Sequence, residues 1–449
     1  MRRPCAQSGS RAAFPLNGGP GAVPRGPLRY NSPVNWCAIR AHKRKHHTNR
    51  GSMTHKRSVE SADVAGKRVI VRVDFNVPVK DGVVGDDTRI RAALPTIELL
   101  RSRGARVVCM SHLGRPSGTG FEADYSMEPV AARFSELLGA PVAYVRDVCG
   151  DEAVAASMAL EDGQVLLVEN LRFEKGEKKN DEAFARQLAK LGDLYVNDAF
   201  GAAHRAHAST AGIAAFLPAY AGLLMAKEVD TITGMLENPG RPFVAVLGGS
   251  KVSDKIGVID ALSEKVDVLL IGGGMCFTFM QAQGLGIGTS LVEPDWVERA
   301  GQMLAKAAER GCKIVLPSDY VVADAFAADA NTQVVDAAQI PDGWMGLDIG
   351  PRSCQEYAAE LAAAKTVFWN GPMGVFEMDA FAAGTKAVGE AIAANEACTS
   401  VVGGGDSAAA VKKFDLAAGM TFISTGGGAS MELVEGLALP GVEAIPDAD

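Results

Sequence analysis

The 8 cysteines (Cys5, Cys37, Cys109, Cys149, Cys276, Cys312, Cys354 and Cys398) include no C-x-x-C pair. Scattered thiols of this kind suit a reducing compartment and argue against a disulfide framework or a zinc site. No apolar run reaches the ~18 residues that a membrane span needs. The chain also lacks a G-x-G-x-x-G after the first strand of either half, which counts against a dehydrogenase, and it lacks the G-x-x-x-x-G-K-[ST] spacing of a Walker A loop. The formal net charge of -8 argues against general nucleic-acid binding by the main body.

Against these absences stand 449 residues, 47% of them hydrophobic, and 50 glycines. The length suits two or three domains with a sizeable core. Many glycines fall directly after apolar runs, where a backbone must turn or approach a ligand closely.

Residues 1–52 differ from all that follows. They are rich in Pro, Gly, Arg and Ser, and no acid occurs before Glu60. Removing their ten Lys and Arg from the total of 45 leaves 35 against 53 acids, so residues 53–449 carry about -18. An acid-poor, Arg-rich leader is reminiscent of an organellar transit segment, but its prolines interrupt any amphipathic helix. Met53 begins a sequence that reads as a natural start. The leader is therefore read as a disordered basic extension or a mis-called upstream start, in preference to a targeting peptide. The expected location is cytoplasmic, with organelle targeting through residues 1–52 as the alternative.

From Lys67 onward, apolar runs alternate with helical stretches. The first set of runs is Arg68–Asn76, Ala105–His112, Val142–Asp147, Gln164–Asn170 and Asp193–Asp198, with helices expected at Arg89–Arg101 and Glu128–Leu138. Leu223–Glu237 has helical periodicity and ends at Asn238–Pro239–Gly240. A second set follows: Phe243–Gly249, Val266–Gly274, Lys313–Asp319, Thr366–Pro372, Thr399–Asp406 and Thr421–Gly428, with helices at Met303–Arg310 and Ala380–Asn395. Continuous Val/Ile/Leu runs separated by helices predict parallel sheets covered on both faces. The fold class is α/β, with two Rossmann-like three-layer lobes, mostly parallel sheets, an inter-domain helix and a cleft between the lobes. The expected divisions are 1–52, a first lobe 53–222, the helix 223–238, a second lobe 239–430, and a terminal segment 431–449. Ligands in such sheets bind beyond the carboxyl ends of the strands.

The two halves offer different chemistry at those ends. The first offers cations: Arg72 beside Asp74, then Arg89, His112, Arg115, Arg172, His204, Arg205 and His207. Guanidinium forks bind phosphate and carboxylate bidentately, so this pattern suits a small, strongly anionic substrate. The ordinary alternative is that each Arg pairs with a nearby acid such as Asp86, Glu169 or Asp198. Four guanidiniums (Arg89, Arg115, Arg172 and Arg205) at equivalent strand ends favour a shared ligand. The second half offers bare backbone at Gly248–Gly249, Gly272–Gly274, Gly403–Gly405 and Gly426–Gly428, which can form anion nests. Lys251 and Lys255 lie four residues apart, and a helix beginning near Ser250 would put both on one face beside its N-terminus. Asp406 suits Mg2+, a hard cation preferring oxygen. Glu377 could accept from ribose hydroxyls.

These residues lie in RVDFNVP, TRIRAALPTI, SHLGRP, ENLRF, YVNDAFGAAHRAHAS, LGGSKVSDKI, IGGGMCFTF, GWMGLDIGP, WNGPMGVFE, GGGDSAA and STGGGAS. Together they resemble the phosphoglycerate kinase family, over about residues 53–440. The resemblance implies reversible phosphoryl transfer between 1,3-bisphosphoglycerate and ADP, giving 3-phosphoglycerate and Mg-ATP, in a monomer that bends at a hinge. It implies that Asp74, Phe75, Asn76, Arg89, His112, Leu113, Gly114, Arg115, Arg172 and Arg205 hold the glycerate. It assigns the nucleotide to Lys251, Lys255, Gly272, Gly273, Gly346, Asn370, Glu377, Gly403, Gly404, Gly405, Asp406 and Ser407. Arg89, Lys251 and Lys255 would be catalytic, Asp406 would bind magnesium, and the last residues would return to the first lobe. Ala226, Ser250 and Met373 vary within the family pattern, but none removes a charged position. The competing readings are a nicotinamide dehydrogenase and a non-catalytic, two-lobed anion-binding protein. Neither nucleic acid nor membrane is an expected partner.

Overall fold

A computed structural model describes residues 56–448, so the expectations for residues 1–52 lie outside the described residues. Two six-stranded sheets dominate. The first comprises β1 (Arg68–Arg72), β2 (Arg106–Met110), β3 (Val142–Val145), β4 (Val165–Val168), β5 (Leu194–Asn197) and β6 (Ala219–Ala221), in the order β3-β4-β2-β1-β5-β6. The second contains β7 (Phe243–Leu247), β8 (Val268–Ile271) and β9 (Lys313–Val315). Between its two runs of strands the chain inserts β10 (Asp319–Ala323), β11 (Thr332–Asp336) and β12 (Met345–Ile349). It then returns as β13 (Thr366–Asn370), β14 (Thr399–Gly403) and β15 (Phe422–Ile423), giving the order β9-β8-β7-β13-β14-β15. Every neighbouring pair in both sheets is parallel.

The continuous apolar runs bury both faces. Along β1, Val69 and Val71 enter one core cluster, while Ile70 enters another on the opposite side. Along β7, Val244 and Val246 face one cluster, and Phe243, Ala245 and Leu247 the other. The two-residue side-chain period of a strand demands this division.

Helix Leu223–Glu237 has the bounds its periodicity predicts. Met225, Val229, Ile232 and Leu236 join the second sheet's core, while Leu223 packs on the first sheet's core. The fully buried Asp198 secures its start, accepting from the amides of Leu224 and Met225 at 2.9 and 3.2 Å. A side chain at Gly222 would lie 2.1 Å from the same carboxylate, so glycine is required there. At the other end of the chain, the Gly441 amide donates to Ala203 O at 2.8 Å and Pro446 O accepts from the Arg57 amide at 3.0 Å. These contacts tie the C-terminal residues to the first lobe.

Several expectations need correction. The run Lys313–Asp319 is not one strand: β9 stops at Val315, and Asp319 starts β10 in a separate antiparallel sheet, β11-β10-β12. The stretch Met303–Arg310 belongs to a longer helix, Val297–Glu309, and Ala380–Asn395 narrows to Ala383–Ala394. The helix after β7 begins at Ile256, not near Ser250.

Burial pushes the Asp198 carboxyl up to about 6, against the opposing effects of Thr96 and the two helix amides. A carboxyl raised in the fold binds more protons than its unfolded counterpart, so stability falls as pH rises from the unfolded value through about 6. Asp198→Asn removes that titration while retaining an acceptor oxygen. Its melting temperature relative to the parent is expected to rise between pH 4 and 6.5 and then level off, a span worth at most about 3 kcal/mol. Parallel melting curves across that range would contradict this.

Candidate active site

The first lobe gathers cations beyond the ends of β1, β2, β4 and β5. Arg72 closes β1 and is buried, donating from Nε to Ser209 Oγ at 2.9 Å. Its Nη2 lies 3.0 Å from His112 Nδ1. Guanidinium has no acceptor, so Nδ1 accepts and the imidazole proton sits on Nε2. Burial, and then Arg72, Arg172, Arg205 and Arg89, hold His112 well below its ordinary pKa. The ring is therefore a neutral donor.

Around it, Asn76 Oδ1 accepts from the Gly114 amide at 2.9 Å. Arg89, second residue of helix Thr88–Ser102, donates to Asn76 O at 3.1 Å and lies 3.3 Å from Asp74 Oδ2. Phe75 and Leu113 are buried beneath this surface, and the Phe75 amide donates to Ser111 Oγ at 2.9 Å. Arg172 follows β4, and its Nη1 donates to Gly114 O. Among the described residues, its buried Nε has no hydrogen-bond partner. Burial, and then Arg205 and Arg72, lower its pKa to about 10. Arg115 is exposed at the rim.

The acids that could have neutralised these guanidiniums are engaged elsewhere. Asp86 pairs with Lys412, Glu169 accepts from Tyr144, Ser126 and Met127, and Asp198 serves the interlobe helix. Among the described residues, Asp74, 3.3 Å from Arg89, and the buried Glu177, which also favours the charged form of Arg172, oppose the cluster. His204 sits at its edge, with a buried Nδ1 that has no hydrogen-bond partner among the described residues and a pKa lowered to about 4 by burial and then Arg205. His207 is instead a partner of Glu177, at 3.6 Å.

The second lobe forms a cavity of about 310 Å3 at the ends of β7, β13 and β14. Gly248, Gly249, Lys251, Lys255, Asn370, Gly404, Gly405, Asp406 and Ser407 line it, as do Gly427 and Gly428 from the loop after β15. Both lysines thus reach one cavity from the turn ahead of helix Ile256–Ser263, rather than from its face. Lys255 donates to Asn370 Oδ1, and burial lowers its pKa despite Asp406, Asp254 and Glu435 nearby. Lys251 is exposed. Gly404 has φ +91° and a Cβ there would lie 2.4 Å from Asn370 Nδ2, so only glycine permits this approach. Ser407 Oγ accepts from the Gly371 amide at 2.6 Å, and Asn370 Nδ2 donates to Gly403 O at the same distance. Asp406 lies exposed in the first turn of helix Gly405–Lys413.

Other residues expected at the nucleotide lie outside this lining. Gly272 and Gly273 follow β8 and pack against Met373 and Gly249, Gly346 lies in β12 against Phe277, and Glu377 is exposed. Composition and spacing gave no role to Glu228. It is buried on the interlobe helix and accepts from Thr425 N at 2.7 Å and Thr425 Oγ1 at 2.8 Å. It thereby anchors the loop that carries Gly427 and Gly428.

The phosphoglycerate kinase family model matches residues 59–437. The chain belongs to the phosphoglycerate kinase family. A phosphoglycerate kinase of Acaryochloris marina is 58% identical over 395 residues, covering 87% of this chain and 98% of that relative. A protein named cytosolic phosphoglycerate kinase from Nicotiana tabacum is 55% identical over 395 residues, with the same coverage of 87% and 98%. Among solved structures, the Coxiella burnetii family member is 44% identical with a TM-score of 0.80, covering 87% of this chain and 98% of that one. The Pyrococcus horikoshii kinase is 34% identical with a TM-score of 0.75, covering 86% and 98%. This kinship accounts for the pairing of a cationic lobe with a glycine-rich one. Among the described residues, no helix is long and apolar enough to cross a membrane.

Proposed function

We propose that the chain moves the acyl phosphate of 1,3-bisphosphoglycerate reversibly to Mg-ADP, giving 3-phosphoglycerate and Mg-ATP, by direct in-line transfer. The observation that carries this reading is the set of guanidiniums gathered around His112 and only partly offset by Asp74 and Glu177, with the buried Arg172 Nε lacking an acceptor among the described residues. A small acid bearing a phosphate supplies the missing acceptors. His112 Nε2, Arg115, Arg172 and Arg205 bind its phosphate, while Asp74 and Asn76 orient its hydroxyl and carboxyl end. Arg89 lies over the reacting carboxylate. On the other lobe, Lys251, Lys255 and the amides of Gly404 and Gly405 receive the nucleotide phosphates, and Glu377 takes the ribose.

Such a transfer needs positioning and charge neutralisation more than covalent help. His112 is poorly suited to carry phosphate, since one ring nitrogen accepts from Arg72 and the other bears the proton. Asp406 suits magnesium: no group of three or more His, Cys, Asp or Glu among the described residues could cage a metal, and Mg2+ commonly takes one or two carboxylates beside substrate phosphates and water. A magnesium ion there would offset charge on the transferring phosphoryl group.

We assign the two substrates to separate lobes, the division falling at residues 223–238, so that closure must bring the reacting atoms to about 3–3.5 Å. A monomer in the cytoplasm completes the reading, and the cytosolic name of the tobacco relative supports that location. The test is a coupled assay with 3-phosphoglycerate and Mg-ATP. ADP release that depends on 3-phosphoglycerate is expected. Binding of both ligands without turnover would leave a non-catalytic anion-binding protein instead.

A further inference from the structure

We infer that Asp86 and Lys412 form a latch between the lobes, and that both are positioning residues for phosphoryl transfer. Asp86 lies just ahead of helix Thr88–Ser102, three residues before Arg89. Lys412 lies in the last turn of helix Gly405–Lys413, whose first turn carries Asp406. Lys412 Nζ and Asp86 Oδ2 meet at 2.5 Å across 326 residues of sequence. The pair therefore ties the helix bearing the glycerate-side arginine to the helix bearing the metal-side carboxylate.

The surroundings direct this pairing. Asp87, the adjacent acid, is already held by Arg91 at 2.8 Å and by Arg133 at 2.6 Å. Lys413, the adjacent cation, is held by Asp379 at 2.8 Å. That leaves Asp86 and Lys412 for each other. The hydrogen bond from Lys412 is the largest cause holding the Asp86 carboxyl down at about 2, with Thr88 adding to it. The pair thus stays charged at physiological pH. A contact between the two lobes is made or broken when they move relative to one another, so its free energy favours the arrangement in which it exists. Exposed ion pairs are individually weak, so the latch biases the lobes toward this arrangement without locking them in it.

This rests on the two-lobe transfer reading above, and the test separates the two. Asp86→Asn keeps an acceptor for the Thr88 amide, which Asp86 Oδ1 caps at 2.9 Å, and removes the charge. Lys412→Gln removes the other charge. Each single variant is expected to lose about two- to fivefold in kcat, the range open to an exposed pair. The double variant should lose no more than either single, and melting temperatures should stay within about 1 °C of the parent because both sites are surface positions. The parent's kcat should fall with added salt more steeply than the double variant's. Singles with parental kcat, or losses that multiply in the double variant, would overturn the latch. A parent that fails to turn over would overturn the transfer reading instead.

Discussion

Lys251→Ala is expected to lower kcat by on the order of 10^2–10^3-fold, the typical effect of deleting one preorganised group that meets charge in the transition state. Lys251 is exposed at the cavity lip and acts on the Glu293 carboxyl only through its charge, whereas Lys255 is part-buried and donates to Asn370. Its ammonium is therefore free to follow the phosphoryl group as charge moves toward the leaving oxygen. Binding shared equally by ground and transition states does not raise turnover, so the nucleotide KM should change by less than about tenfold. The fold should be untouched, since the side chain packs against nothing it would leave empty. A variant with parental kcat and only a raised KM would contradict this assignment.

Arg172→Met is expected to separate stability from function. The guanidinium is buried, its Nε lacks a hydrogen-bond partner among the described residues, and Arg205 and Arg72 add repulsion to the cost of burial. Glu177 and Asp74 offset this only in part, since its pKa is still lowered; a buried charge short of counter-charge costs free energy in the unliganded protein, and sites shaped for a ligand often carry such a cost. Methionine fills similar space without charge, although it forfeits the hydrogen bond to Gly114 O. The melting temperature should thus be equal to or above the parent's. The KM for 3-phosphoglycerate should rise at least tenfold, as loss of one charge-assisted hydrogen bond costs about 1.5–3 kcal/mol. Phosphate or sulfate should stabilise the parent more than the variant. A variant that melts well below the parent with unchanged KM would show that Arg172 serves the core instead.

Much of this was legible in the residues. The Val/Ile/Leu runs gave the parallel sheets, and the polar residues following them lie at the carboxyl ends of the strands. Helix Leu223–Glu237 was readable because its apolar residues recur at helical spacing. The missed features depend on partners distant in sequence. Ser250–Lys255 looks like a helix start, yet the chain makes turns there while Gly249 and Gly273 pack closely, and the helix waits until Ile256. Strand β10 follows β9 so closely that the apolar run conceals a change of sheet. Glu228 reads as an ordinary polar position on a helix, and only the fold brings Thr425 to it. By sequence, Asp86 is one of several acids that could pair with a nearby arginine, and only the fold brings Lys412 to it from the other lobe.

The division of labour between the lobes is tested most directly by calorimetric titration of Arg172→Met with 3-phosphoglycerate and, separately, with Mg-ADP. The account predicts at least tenfold weaker binding of the glycerate, from the lost charge-assisted contact, with Mg-ADP affinity unchanged within about twofold. Equal weakening of both ligands, or of Mg-ADP alone, would contradict it.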